Sequence, residues 1–95
     1  DITLKNLAEI GSVSPAHLNK LFRGAFNMSP MQYINNLRLD KAKELMMYSD
    51  FNISQISELV GFASIHYFSR YFKKKEKISP SEFRSGVKDN IYVYL

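Results

Sequence analysis

The stretch GFASIHYFSRYFKKKEK, from Gly61 to Lys77, decides how the rest of the chain is read. Taken as a helix that starts after Ser64, it gathers Ile65, Phe68, Tyr71 and Phe72 on one apolar side. His66, Arg70, Lys73 and Lys77 follow at steps of four, three and four, so they form a second stripe on the same helix. One segment thus combines a hydrophobic anchor with a cationic face. Gly61 in front of it supplies the permissive backbone that a turn between two helices needs.

Working outward, Asn52 with Gln55 makes a capping-box pattern before the short apolar face Ile53, Ile56, Leu59 and Val60, which predicts a helix just ahead of the turn. Downstream, Ser79, Pro80 and Glu82 combine an N-cap, a proline at the first helical position and a capping acid, and so predict a last helix through Phe83 and Arg84. The segment from Gly86, ending IYVYL, alternates weakly but has no strand partner, and a loose terminus is expected there. Upstream, Thr3 is the expected cap of a first helix carrying Leu4, Leu7, Ala8 and Ile10, which ends near Gly11 and Ser12. Ser14-Pro15 opens a second helix with Leu18, Leu21, Phe22 and Phe26 as its apolar face, and Asn27 is suited to close it in the left-handed conformation. Ser29-Pro30 opens a third, with Tyr33, Ile34, Leu37, Ala42, Leu45 and Met46 as expected buried positions. Free of Gly and Pro as far as Ser49, it has room for roughly 19 residues, or about 28 Å.

The chain repeats itself. Ser14, Leu18, Phe22, Ser29, Pro30 and Tyr33 correspond to Ser64, Phe68, Phe72, Ser79, Pro80 and Phe83, each 50 residues further on. Before the turn the offset is 49, pairing Leu4 with Ile53, Leu7 with Ile56 and Glu9 with Glu58. The extra residue, Ala63, falls in the turn, where insertions are tolerated. The expected fold is therefore all-α: two tandem helix-turn-helix subdomains joined by a long linker helix. Residues 1–28 form the first module, 29–49 the linker, 50–84 the second module with its closing helix, and 85–95 a tail. An α-solenoid is the competing all-α architecture, but it uses more than two repeats and gives no reason for basic stripes on equivalent helices.

Composition narrows the function. At 95 residues, 45% hydrophobic and 14% aromatic, the chain can bury a thin core. It has no cysteine, which removes disulfide frameworks and cysteine zinc sites and fits a reducing, cytoplasmic setting. No membrane span or signal peptide is visible. Its two histidines, His17 and His66, match no metal spacing, and no phosphate loop or nucleophile elbow occurs, so neither catalytic residues, a metal nor a cofactor is expected. The net charge of +4 is a moderate excess, but residues 70–77 hold five of the thirteen cations.

A recognition helix meets base edges and phosphates with its outer face. In the second copy that face is His66, Ser69 and Arg70, with Arg70 suited to guanine, while Tyr67, Lys73, Lys74 and Lys77 flank it as phosphate contacts. In the first copy the equivalents are Ala16 for a thymine methyl, Asn19 for adenine and Lys20 for guanine, with Arg23 toward phosphate. Any one of these alone is an ordinary solvated side chain; their matched placement on two helices points to double-stranded DNA. A linker of about 28 Å is comparable with one turn of the duplex, about 34 to 36 Å, so an asymmetric site of about 16 to 20 base pairs is expected.

Two segments carry a family resemblance: LAEIGSVSPAHLNKLFRGAFNMSPMQYINNLRLDKAKELM and ISQISELVGFASIHYFSRYFKKKEKISPSEFR. Together they resemble the DNA-binding domain of AraC/XylS-type transcription regulators over about residues 4 to 84. Ile53, Ile56, Val60-Gly61-Phe62, Ser64, Phe68-Ser69-Arg70, Phe72-Lys73, Ser79-Pro80 and Phe83-Arg84 are close to that family's signature. The resemblance implies a bacterial activator or repressor that reads adjacent major grooves, with Ala16, Asn19, Lys20, His66, Ser69 and Arg70 as its base readers and RNA polymerase as a further partner. It also implies a preceding helix and a sensing or dimerisation domain, neither of which lies in these residues, so an excised fragment is expected. The sequence departs from the family pattern at Ser12, where the turn glycine is usual, and at Asn27 and Lys77, where glycines commonly end the recognition helices. Lys77 would either extend the second helix or add a phosphate contact. The alternative to DNA binding is an all-α protein-interaction module, and salt-sensitive duplex binding separates the two.

Overall fold

The computed structural model of the chain describes residues 3–88, which form six helices and no strand. These are α1 (Leu4–Ile10), α2 (Pro15–Phe26), α3 (Pro30–Tyr48), α4 (Ile53–Leu59), α5 (Ile65–Glu76) and α6 (Pro80–Lys88). Every one begins at a side chain that accepts from an otherwise orphaned amide. Thr3 takes the Asn6 N–H at 3.1 Å, Ser14 that of His17 at 3.1 Å and Ser64 that of Tyr67 at 3.0 Å. The other three starts are reciprocal. Asn52 and Gln55 exchange bonds of 2.8 and 2.9 Å, as do Ser79 and Glu82 at 3.1 and 3.2 Å. Ser29 and Gln32 do the same at 3.2 and 2.9 Å, a third capping box beyond the two expected.

The chain forms two compact units that meet within α3, the first ending at Leu37 and the second starting at Arg38. The linker helix is thus shared between the units. In the first unit Ala8, Pro30 and Asn35 are buried, and Phe22, Phe26 and Tyr33 form a ring cluster with centroids 4.9 to 5.7 Å apart. α2 itself has no fully buried residue, and Leu21 and Phe26 remain 50% and 48% exposed.

The second unit has the larger core. Leu39, Ala42 and Met46 of α3 pack with Ile56 of α4, Phe62 of the turn, and Phe68 and Phe72 of α5. Phe68 and Phe72 are wholly buried, and a chain of ring contacts runs from Phe62 through Phe68 and Phe72 to Phe83 of α6. Within α3 the buried set differs from the one expected: Asn35 and Leu39 are buried and Leu37 is 53% exposed. Residues 35, 39, 42 and 46 follow steps of four, three and four along one stripe, and Leu37 falls on the other side of it. α6 runs through Lys88, past the Arg84 boundary expected for the second module, and the IYVYL segment lies outside the described residues.

Candidate nucleic-acid interface

The sequence repeat is a repeat of hydrogen bonds. In the first turn Gly11 donates to Leu7, Ser12 to Glu9 and Val13 to Ala8; in the second Val60 donates to Ile56, Gly61 to Glu58 and Phe62 to Ser57. Each bond recurs 49 residues later, at 3.0 to 3.1 Å throughout. The corner residue of both turns has positive φ, at 98° for Gly61 and 55° for Ser12. Ser12 therefore adopts the backbone that glycine adopts in the second copy, in a region where an L-residue is disfavoured.

The helix after each turn is bounded in the same way. Ser14 and Ser64 cap the starts, while Asn27 and Lys77 close the ends in the left-handed conformation, donating to Arg23 at 3.1 Å and Lys73 at 2.8 Å. Of the two roles open to Lys77, the structure excludes the longer helix: with φ 71° it ends α5, and its side chain is exposed, donating to the Lys74 carbonyl at 3.2 Å.

Eleven residues were expected at the interface, and all lie on α2 or α5 or at the cap of α5. His66, Arg70, Tyr67, Lys73, Lys74 and Lys77 are exposed, whereas Ser69 is half-buried at the flank. Ala16, Lys20 and Arg23 are exposed on α2, and Asn19 is half-buried. The Asn19 side-chain oxygen is shut off from solvent with no hydrogen-bond partner, so in this rotamer it is not presented to a groove. Tyr67 is anchored as well as exposed, its ring 5.7 Å from Phe62 and 6.2 Å from Tyr71. Burial, and then the neighbouring Tyr67, push the Tyr71 phenol above its ordinary value of 10.0, and the Lys75 ammonium lies 5.7 Å from the centre of its ring.

The Ser69–Arg70–Lys73 side of α5 opens on a shallow cleft of about 380 Å³, bordered by Ile53 of α4, Ile65 of α5 and Pro80 of α6. Ile65 is a residue that apolar periodicity assigned to the core, yet it is 36% exposed beside the expected readers. Its position as the first residue of the helix, before a complete turn surrounds it, is the signal that separates it from Phe68. Arg84 was legible only as part of a family pattern. Its guanidinium donates to the carbonyls of Ser49 at 3.0 Å, Met46 at 3.4 Å and Phe51, satisfying acceptors that the end of α3 leaves free.

Two turn-helix copies, each with a capped outer helix, define a tandem helix-turn-helix protein. Residues 7–86 match the helix-turn-helix domain family, and the chain belongs to that family in its AraC/XylS form. It is 34% identical over 88 residues to the arabinose operon regulatory protein of Escherichia coli, covering 93% of this chain and 30% of that protein. It is similar to an AraC-type transcriptional regulator structure from Chromobacterium violaceum, with a TM-score of 0.80, 29% identity, and 90% and 77% of the two chains covered. It shares its fold with the DNA-binding domain of the transcription factor AdpA, solved in complex with a target DNA, at a TM-score of 0.90, 21% identity and coverage of 95% and 81%. The chain spans between 25% and 35% of the length of curated relatives it matches.

Proposed function

We propose that this chain is the sequence-specific double-stranded DNA-binding part of a bacterial transcription regulator, reading two adjacent major grooves with α2 and α5. The observation that carries the reading is the cationic outer face of α5. His66 and Arg70 stand exposed on a helix fixed by a repeated turn, with Lys73, Lys74 and Lys77 around them. Arg70 reads a guanine, His66 and Ser69 read its neighbours, and the exposed Ile65 meets a thymine methyl. Tyr67, Lys73, Lys74 and Lys77 hold the phosphates. Ala16, Lys20 and, after rotation of its amide, Asn19 do the reading on α2, with Arg23 on the backbone. The whole regulator acts in the cytoplasm as an activator, joining this part to a sensing or dimerisation domain and to RNA polymerase. Family membership and the relatives that are named as transcription activators support this.

Selection of bound duplexes from a random pool tests it. Enrichment of an asymmetric site with two groups of fixed positions about 10 base pairs apart is expected. A pool that stays unenriched counts against sequence-specific binding.

A further inference from the structure

Glu76 is the only acid between Arg70 and Lys77, and it occupies the last turn of α5, where a carboxylate meets the negative end of the helix dipole. Neither its neighbours nor the dipole explains it. Its partner is on another helix: the Glu76 carboxylate lies 3.2 Å from the Lys43 ammonium of α3, and the two side chains are only 24% and 27% exposed. Asp40, at 3.9 Å, flanks the same ammonium. A pair this covered is held in one geometry, unlike the exposed ion pairs that contribute little.

The repeat shows that the fold does not require charge here. Fifty residues earlier the equivalent position is Phe26, which packs on Phe22 and Tyr33. Along α5, Phe68 and Phe72 fix which side of the helix is buried, but apolar contact is non-directional and tolerates small rotations about the helix axis. Glu76 follows Ser69 by seven residues and so lies on the same flank of the helix, at the edge of the reading face. A hydrogen-bonded charge pair at that edge fixes the rotation.

We infer that Lys43 and Glu76 are a positioning pair that aims His66, Ser69 and Arg70 at the bases. The inference rests on the DNA-binding reading above and adds a specificity role to residues that touch no DNA. It also makes a prediction opposite in sign to simple electrostatics. E76Q raises the formal net charge by one from +4, which by itself tightens binding to any duplex. Loss of aim instead weakens binding to the preferred site alone.

The test measures affinities of the full 95-residue chain and its variants for the selected duplex and for a scrambled one, at one salt concentration, with circular dichroism confirming that each is folded. E76Q should bind the scrambled duplex as tightly as the parent or more so, while the ratio of the two affinities falls by about tenfold, the scale set by one bidentate base contact. K43R, which keeps a donor for the carboxylate, should retain the parent ratio, and the charge-swapped K43E/E76K should recover it to within about threefold. Mere loss of stability lowers both affinities together and leaves the ratio unmoved, which would overturn the inference. An E76Q ratio equal to that of a discriminating parent would overturn it too, with DNA binding intact. A parent that binds no duplex would instead sink the proposed function on which the pair's role rests.

Discussion

Replacing Gly61 with alanine tests whether the repeated turn is what holds the second module together. Gly61 sits at φ 98°, and a Cβ built on it would lie 3.1 Å from the Arg38 side-chain nitrogen. The arginine end can swing aside by a few tenths of an ångström, so the backbone sets the cost. A left-handed conformation costs an L-residue about 1 to 2 kcal/mol, more at a φ this far from the left-handed minimum. Loss of glycine's freedom in the unfolded chain returns about 0.4 to 1 kcal/mol. The net destabilisation should be about 1 kcal/mol, or a melting temperature lower by about 4 to 8 °C for a chain of this size. Thermal unfolding followed by circular dichroism reads the shift, and amide hydrogen exchange should place the lost protection in α4 and α5. Two companions fix the sign. Ser12→Gly, at the same corner of the first copy, should leave stability unchanged or raise it by up to about 1 kcal/mol, because strain is relieved while unfolded-state freedom grows. Gly24→Ala, in the interior of α2 with nothing within 4 Å of the added carbon, should stabilise by about 0.5 to 1 kcal/mol. A Gly61→Ala protein that melts within about 1 °C of the parent, or above it, would refute the strained-corner reasoning.

Three further outcomes are expected. Arg70→Ala should cost about 1 to 3 kcal/mol on the preferred duplex and relax the preference at one base pair; equal losses on all sequences in a binding assay would move Arg70 to the phosphate contacts. Lys73→Ala should weaken binding to every duplex and lower the slope of log affinity against log salt by about one, and an unchanged slope would remove that role. Glu82 accepts from the Ser79 backbone and hydroxyl, which hold its carboxyl below the ordinary 4.5. The folded value being the lower one, its contribution is present above that ordinary value and is lost as pH falls through the folded value. Protection factors of the α6 amides, which take out the intrinsic slowing of exchange in acid, should therefore drop on acidification in the parent, and a Glu82→Gln variant should lack that step.

The capping residues and the turn were legible because their chemistry is local. Ser14, Ser64, Asn52 and Ser79 act on amides three residues away, a distance at which sequence and structure coincide. The 50-residue offset then carried the architecture, since a pattern seen twice constrains both copies. The contacts of Arg84 and Lys43 were not legible: their partners lie 33 to 38 residues away, and nothing local distinguishes them from solvated cations. Leu37 was misplaced because α3 serves two units, and a single apolar period does not describe a helix whose burial is set by two different cores. Ile65 and Asn19 went the opposite ways for one reason. Periodicity assigns a residue to a side of a helix, whereas exposure depends on what lies opposite, and the start of α5 leaves Ile65 36% exposed while α2 turns the Asn19 oxygen inward.

Fluorescence anisotropy of the chain on its selected duplex, titrated across salt concentrations, tests the DNA-binding proposal most directly. With about six phosphates neutralised, log affinity should fall linearly with log salt at a slope of about −5, and the scrambled duplex should bind about a thousandfold or more weakly. Duplex binding that ignores salt, or equal affinity for the two duplexes, would contradict it.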